Sequence, residues 1–574
     1  MSNSRSVPEE LVVGRSDPAY MAHAYLTKVP IPAITPFIAA YSNEGDVVVD
    51  PFAGSGMTGV AAASLRRRAR LFDISVLGQH IGRNYANLVN QDLLRKTADE
   101  LVSAVRSYLG DVYGTKCRKC SETAKLVKTI WSYQFQCAQC SHVGSFYRAM
   151  EASGWSKKDM QCSNCGLRVP SGSERIGEIG EVDCIECGCS TTQIEQAAAT
   201  PPAVDLDALP YPRVEITPDR QMYKTQSLGR SGLISVSSFY SKRNLAVLTV
   251  LREGIREVED KAIRDKLLFA FTACLTRASK RYQWSPMRPL NAANANYYVA
   301  AVFYEWNVFD LFLRKVEAAC RSDNYLRLLM QAGTLFDSDD PEIDVSYELS
   351  SAESIPLADS SVDYVFTDPP FGSNLFYADM ALFQEAWLEG FTDVSLEAVV
   401  DRGSKKVRSA SRYEGMLTNA LSECRRILKP GGHVSMVFGN STGSVWSLVQ
   451  RSIKNAGLLI DPHSLAILNK GQRSVKGLAS GFEHVATLDL IITMTAGDDS
   501  RCFKVPTADQ VGNVAREIAR GNIGRTPSHV YLEILRMGIR ESWDLSAVHL
   551  RDVTQSLIDD GWQVASGSGA LSRA

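Results

Sequence analysis

The strongest constraint on the fold lies at residues 362–372. Val362-Asp363-Tyr364-Val365-Phe366 is a short apolar run of β-formers, and Thr367-Asp368-Pro369-Pro370-Phe371-Gly372 follows it directly. The run predicts a buried strand, and the two prolines end it, because proline fixes φ and brings no N–H to a ladder. An acid, two prolines and an aromatic therefore stand at the C-terminal mouth of that strand. This set suits an amine whose lone pair is delocalised into an aromatic ring, as in a nucleobase. The Asp368 carboxylate and the Pro369 carbonyl can each accept one of its N–H bonds and steer the lone pair. Pro370 removes a competing donor, and Phe371 offers a flat face for an extruded base. A plain Asp-Pro-Pro turn closing a strand uses the same residues.

A second strand mouth narrows the choice. Asp46-Val47-Val48-Val49-Asp50-Pro51-Phe52-Ala53-Gly54-Ser55-Gly56 predicts a short parallel strand, a tight glycine turn and a helix from Met57 to Leu65. Gly54 and Gly56 let the backbone come close to a ligand, and the helix N-terminus favours polar or anionic groups. Asp73 ends the next predicted strand, the place from which an acid binds ribose hydroxyls in a doubly wound sheet. A glycine turn alone is common. Glycine turn, ribose acid and Asp-Pro-Pro-Phe together are specific.

DPFAGSG and DPPFG, with His23-Ala24-Tyr25-Leu26-Thr27-Lys28-Val29-Pro30 upstream, resemble the amino-group class of S-adenosylmethionine-dependent DNA methyltransferases. The resemblance covers residues ~20–90 and ~345–495. It implies an α/β fold, a Rossmann-like doubly wound sheet interrupted by a long insertion. Asp50, Pro51, Phe52, Gly54 and Gly56 would line the methionine and adenosine side of the cofactor. Asp73 would bind the ribose, and Lys28 and Pro30 would belong to a flanking cofactor motif. Asp368, Pro369, Pro370 and Phe371 would form the catalytic motif. One departure concerns the acid set against the cofactor adenine, whose place Ser351 takes, with Glu353 as a substitute. The implied reaction is methyl transfer to the exocyclic amine of a flipped base in DNA. An aspartate heading the motif favours adenine N6 within that class. Cytosine N4, guanine N2 of RNA and a non-catalytic zinc-ribbon subunit are the alternatives. A nuclease or defence-system subunit, as in restriction–modification, would be a fitting partner.

The sheet is interrupted by cysteines in pairs. Cys117-x2-Cys120 and Cys137-x2-Cys140 make one set, and Cys162-x2-Cys165 and Cys184-x2-Cys187 make another. Within each set the knuckles stand 16 to 18 residues apart, the spacing of structural zinc ribbons with four thiolates around one ion. Two zinc ions are expected, with Cys189 spare; pairing interleaved between the sets uses the same residues. With the DPPFGSN motif and the later VATLDLIITM strand, the ribbons most resemble zinc-ribbon-containing adenine-specific DNA methylases.

Net charge is −2, so any nucleic-acid footprint must be local. Trp131, Tyr133, Phe135, Phe146 and Tyr147, with Arg148, form an aromatic group that either grips nucleic acid or packs a small ribbon core. Arg277, Lys280, Arg281, Tyr282, Trp284 and Arg288 read either as phosphate contacts or as a solvated helix end. Asn291, Asn294 and Asn296 suggest base-edge bonding or a turn. Arg402, Lys405, Lys406, Arg408 and Arg412 form a basic loop placed to grip phosphate. No apolar run reaches membrane-spanning length and the polar N-terminus is no signal peptide, so a cytoplasmic protein is expected. The expected organisation is 1–110 and 341–498 as cofactor and catalytic halves, 111–200 as ribbons, 201–340 as a helical insertion and 499–574 as a helical tail.

Overall fold

A computed structural model describes residues 7–197, 205–226, 228–286, 297–331, 343–372, 375–401, 408–471, 486–521, 523–565 and 568–573. At its centre lies an eight-stranded sheet. Its strands in chain order are β1 (Glu10–Val12), β2 (Val47–Asp50), β3 (Arg68–Asp73), β4 (Val345–Leu349), β5 (Val362–Thr367), β6 (Leu428–Phe438), β7 (Leu458–Asn469) and β8 (Asp489–Ala496). Across the sheet the order is β1-β7-β8-β6-β5-β2-β3-β4. Every neighbouring pair is parallel except the two made by β8, which runs antiparallel to β6 and β7. β2 and β5 are runs of apolar residues rather than alternating ones because both faces of the sheet are covered.

From β2 the chain steps outward through β3 to β4, and from β5 it steps the other way to β6. The order therefore reverses between β2 and β5, and the loops leaving their C-terminal ends diverge to open a crevice. Register pairs Tyr364 with Val48 and Val365 with Val49, so the two strands end side by side. The two motifs legible in the sequence meet at that crevice.

Helices cover both faces: α1 (Ile31–Tyr41), α2 (Met57–Ser64) and α3 (Val76–Ala86) accompany the first strands. Beyond Val76 the chain forms two helices in succession. α3 ends near Asn87, and α4 (Gln91–Leu109) begins after Asn90, whose Oδ1 accepts the Leu93 N–H at 2.9 Å. A side chain that caps a new helix ends the old one.

Between β3 and β4 the chain builds a second body. The strand Thr123–Gln136 anchors an antiparallel sheet, flanked by Gly177–Cys187 on one side and Val302–Trp306 on the other. The helices α5 (Lys242–Arg256), α6 (Lys261–Ala278) and α7 (Val308–Gln331) pack against it and α4. The cysteine-bearing strands and the helical segment thus share one sheet and one hydrophobic core. Tyr133, Phe135, Phe146 and Tyr147 are buried in that core, with the Phe135 and Phe146 rings 5.1 Å apart, so the aromatic group packs the ribbon rather than facing solvent. After β8, the helices Ala508–Gly521, Pro527–Arg540 and Leu550–Asp559 share a core with β6, β7 and β8. No helix among the described residues is long and apolar enough to cross a membrane.

Candidate active site and cysteine clusters

At the mouth of β2 the Asp50 carboxylate is buried and bonded on both oxygens. It accepts from Thr58 Oγ1 at 2.6 Å, Thr367 Oγ1 at 2.9 Å and the Phe52 N–H at 3.1 Å. Burial outweighs these bonds and pushes its pKa up to about 7. The glycine turn follows. Gly54 has φ +50°, donates its N–H to Asp73 Oδ2 at 2.8 Å, and would place a Cβ 3.1 Å from the Tyr25 ring. Gly56 opens α2 with φ +79°, and a Cβ there would lie 2.8 Å from Gly82 Cα, so its small size serves helix packing. Asp73 ends β3 with its Oδ1 accepting the Ser75 N–H at 2.9 Å. Burial raises its pKa, and the backbone N–H groups of Gly54, Ser75 and Ile74 oppose the rise.

The mouth of β5 is built differently. Asp368 is partly accessible, but its Oδ1 is buried and has no hydrogen-bond partner among the described residues. Burial raises its pKa to about 7, with Lys470 opposing and Asp489 and Asp50 adding to the rise. The carbonyls that follow are not equivalent. Pro370 O accepts from the Tyr413 hydroxyl at 2.6 Å and Phe371 O from Asn440 Nδ2 at 3.0 Å. Among the described residues no donor is spent on the Pro369 carbonyl. The Phe371 ring is half-buried and packs 5.0 Å from the Phe438 ring.

These two mouths bound one cleft. Of the residues singled out in the sequence, Lys28, Asp50, Pro51, Phe52, Gly54, Asp73, Ser351, Glu353, Asp368 and Pro370 line it. Pro30, Gly56, Pro369 and Phe371 do not. Pro30 instead caps the start of α1. Lys28 reaches the wall with its ammonium already bound to the Tyr20 and His23 carbonyls and the Tyr85 hydroxyl, and burial pulls its pKa down to about 7. Glu353 accepts from Asn419 at 2.9 Å. Tyr25, Tyr377, Thr392 and Glu397 also line the cleft, and sequence reasoning missed them. Tyr25 lies within the His23–Pro30 motif and Tyr377 opens the helix Tyr377–Leu388 just after the Asp368–Phe371 motif; Thr392 and Glu397 carry no local signal.

The basic stretches find other uses. Lys280 pairs with Glu178 at 2.7 Å, the Arg281 guanidinium lies 3.8 Å from the centre of the Phe383 ring, and Tyr282 and Trp284 are buried. Arg408, expected to grip phosphate, is buried between Asp401 and Glu397 and neutralises them. Arg412 donates to the Ser395 carbonyl. Arg288, Asn291, Asn294, Asn296, Arg402, Lys405 and Lys406 lie outside the described residues, as do Ser373 and Asn374 of the DPPFGSN stretch.

The cysteines form two clusters, each with four sulfurs within 4.8 Å of one another. One holds Cys137, Cys140, Cys162 and Cys165; the other holds Cys117, Cys120, Cys187 and Cys189. The expected sequential pairing is therefore replaced by a nested one, and Cys189 takes the place expected for Cys184. Three knuckles share one geometry. The N–H after the second cysteine bonds back to the first carbonyl: Ser121 to Cys117 at 2.7 Å, Ser141 to Cys137 at 2.9 Å and Gly166 to Cys162 at 2.9 Å. All three donors have positive φ, and each first cysteine also donates to the carbonyl five residues on. Cys184 and Cys187 sit inside the strand Gly177–Cys187, and Cys184 is buried opposite Lys128. Side chains three apart on a strand face opposite ways, so this pair cannot close a knuckle. The hairpin that pairs Cys187 with Ser190 presents Cys187 and Cys189 instead. Sulfur separations of 3.6 and 3.8 Å in the first cluster match the roughly 3.8 Å that tetrahedral thiolates keep around zinc at about 2.3 Å. The donor set of each cluster fits one zinc ion.

Residues 8–91 match the family model N6_N4_Mtase, described as DNA methylase. That segment holds Lys28, the Asp50 turn and Asp73, and it supports a methyltransferase. No curated protein matches the chain. Among solved structures, a complex of the Haloferax volcanii Trm112 methyltransferase activator with a methyltransferase is similar at 16% identity, over 31% of this chain and 70% of that one, with a TM-score of 0.16. The [4+2]-cyclase SpnF is similar at 12% identity, over 28% of this chain and 58% of its own, with a TM-score of 0.15. An S-adenosylmethionine-dependent methyltransferase from Methanosarcina mazei is similar at 10% identity, over 30% of this chain and 78% of its own, with a TM-score of 0.15. Scores this low bear on none of the chemistry.

Proposed function

We propose that the protein is a DNA methyltransferase acting on the exocyclic amine of a flipped base, adenine N6 foremost. The observation that carries this is a pair of acceptors unspent among the described residues, Asp368 Oδ1 and the Pro369 carbonyl, at the mouth of β5. A buried acceptor without a partner costs stability, so a site that keeps one is built for a donor that arrives from outside. An exocyclic amine brings two N–H donors.

The cleft suits a cofactor with a cationic sulfonium, a ribose and an adenine. Asp50, Asp73 and Asp368 line it, and their charged forms favour a cation. Asp73 would hold the ribose hydroxyls, and Ser351 and Glu353 the adenine. S-adenosylmethionine, when bound, supplies an electrophilic methyl group. The Asp368 carboxylate and the Pro369 carbonyl take one N–H each and free the nitrogen lone pair for attack. The methylated nitrogen then carries an extra proton, which Asp368 Oδ1, with a pKa near 7, can accept. The two zinc ions would hold the inserted sheet together and take no part in the chemistry.

Tritiated-methyl transfer decides the matter. Label should enter unmethylated DNA and be recovered as N6-methyladenine. Recovery as N4-methylcytosine would move the assignment within the family, whereas label in total RNA and none in DNA would overturn it.

A further inference from the structure

One buried charge pair lies at the same end of the sheet. Lys470 follows β7 and Asp489 opens β8; both are buried, and Lys470 Nζ lies 2.5 Å from Asp489 Oδ2. Register sets Leu468 against Asp489 and Phe438 against Leu490, so the pair lies at the mouths of β7, β8 and β6. It reaches the catalytic motif through Gly439. A Cβ at that position would meet Asp489 Oδ1 at 2.1 Å and Phe371 Cε2 at 3.4 Å, so only glycine lets the pair and the Phe371 ring approach each other. A buried ion pair often stabilises a fold no better than apolar packing, and this one lies beside the Asp368–Phe371 motif.

We propose that Lys470 is a positioning residue for the transfer, its buried ammonium, anchored by Asp489, holding Asp368 as the charged, acceptor-only carboxylate. This role rests on the methyl-transfer reading above. Among the described residues, the charged and titratable groups that reach Asp368 are Lys470, Asp489, Asp50 and the Tyr377 phenol. Lys470 is the only cation among them. Burial, Asp489 and Asp50 all favour the protonated acid, which would spend one of its oxygens as a donor and repel an incoming N–H. Lys470 opposes them, and in turn Asp489 and Asp368 keep Lys470 protonated despite its burial.

Single-turnover transfer to duplex DNA, measured against pH for the wild type, Lys470→Gln and Lys470→Arg, tests this. Removing the cation should move the midpoint of the pH profile up by about one unit. Transfer on the acid side should then fall about tenfold while the alkaline plateau is kept. Lys470→Arg should keep the wild-type midpoint. A second readout needs neither DNA nor cofactor: the infrared carboxyl band of Asp368, isolated by difference from Asp368→Asn, should titrate with the same displacement. Lys470→Met serves if the glutamine variant does not fold. A loss equal at every pH with an unmoved midpoint, or an arginine variant displaced as far as the glutamine one, would overturn the role. A wild type that methylates no DNA would defeat the proposed function instead, and the infrared titration would still decide what Lys470 does to Asp368.

Discussion

Asp50 and Asp368 stand at the ends of neighbouring strands, and burial brings both to a pKa of about 7. Their surroundings are opposite. Asp50 receives two hydroxyls and a backbone N–H from within the chain, whereas one oxygen of Asp368 has no partner among the described residues. A carboxylate bonded on both oxygens locks the structure around it: Asp50 ties β2 to the first turn of α2 and to the end of β5. On the proposed function, the same residue type at equivalent places divides into a brace and a reagent, and the division lies in the hydrogen bonds rather than in the acidity.

The comparison can be broken by exchanging the losses. Asp368→Ala should cost the most activity, at least roughly a hundredfold in transfer, the usual scale for a preorganised polar group at a reacting centre. Its melting temperature and cofactor affinity should stay near those of the wild type. A mutant that melts early and binds cofactor poorly would make Asp368 a second brace.

Asp50→Ala should show the converse. It strands the Thr58 and Thr367 hydroxyls and the Phe52 N–H, at about 1–3 kcal/mol for each buried group left unpaired. The measured effects should be a lower denaturation midpoint and weaker cofactor binding, read by calorimetry. Unchanged stability with loss of transfer alone would erase the distinction.

Phe371 should come next. Loss of an aromatic contact with a base is worth roughly 1–3 kcal/mol, so Phe371→Ala should cut transfer by roughly ten- to a hundredfold. Its ring rests against Phe438 and partly outside the core, so Phe371→Tyr should recover much of the loss. Equal activity for Phe371→Leu and Phe371→Tyr would make the ring core packing only.

The pH dependence is gentler. Transfer needs the Asp368 carboxylate, so it should fall as pH drops through about 7, by about tenfold for each further unit. A profile flat between pH ~5 and ~8 would mean that bound substrate removes the perturbation that burial imposes.

The smallest effect on transfer should come from the cysteines, which belong to the other body. Cys189→Ser should lose one of about two zinc ions per chain, and Cys184→Ser should keep both, as elemental analysis would show. Zinc lost from the Cys184 variant and kept in the Cys189 variant would reverse the assignment.

The sequence alone determined the strand mouths. A run of β-formers ending in Asp-Pro-Pro, or in a glycine turn, can only be a strand that stops, and the residue at its end must face the crevice. That logic is local, and it located Asp50, Gly54, Asp73 and Asp368. It also carried too far, since Gly56 turned out to serve the contact with Gly82 and Pro30 to start a helix. Three of the four cysteine pairs were legible for the same reason, because each knuckle closes within five residues. The fourth was not. Whether Cys184 or Cys189 meets Cys117 depends on strand register and on where a hairpin turns, and spacing encodes neither. Arg408 reads as a free basic residue until Asp401 and Glu397 are brought around it. Lys470 lies more than a hundred residues along the chain from Asp368, and only the pairing of β6, β7 and β8 sets it beside the motif. Local chemistry fixes what each residue can do, and the sheet decides which of them meet, because register and burial are properties of neighbours that the chain reaches only by folding.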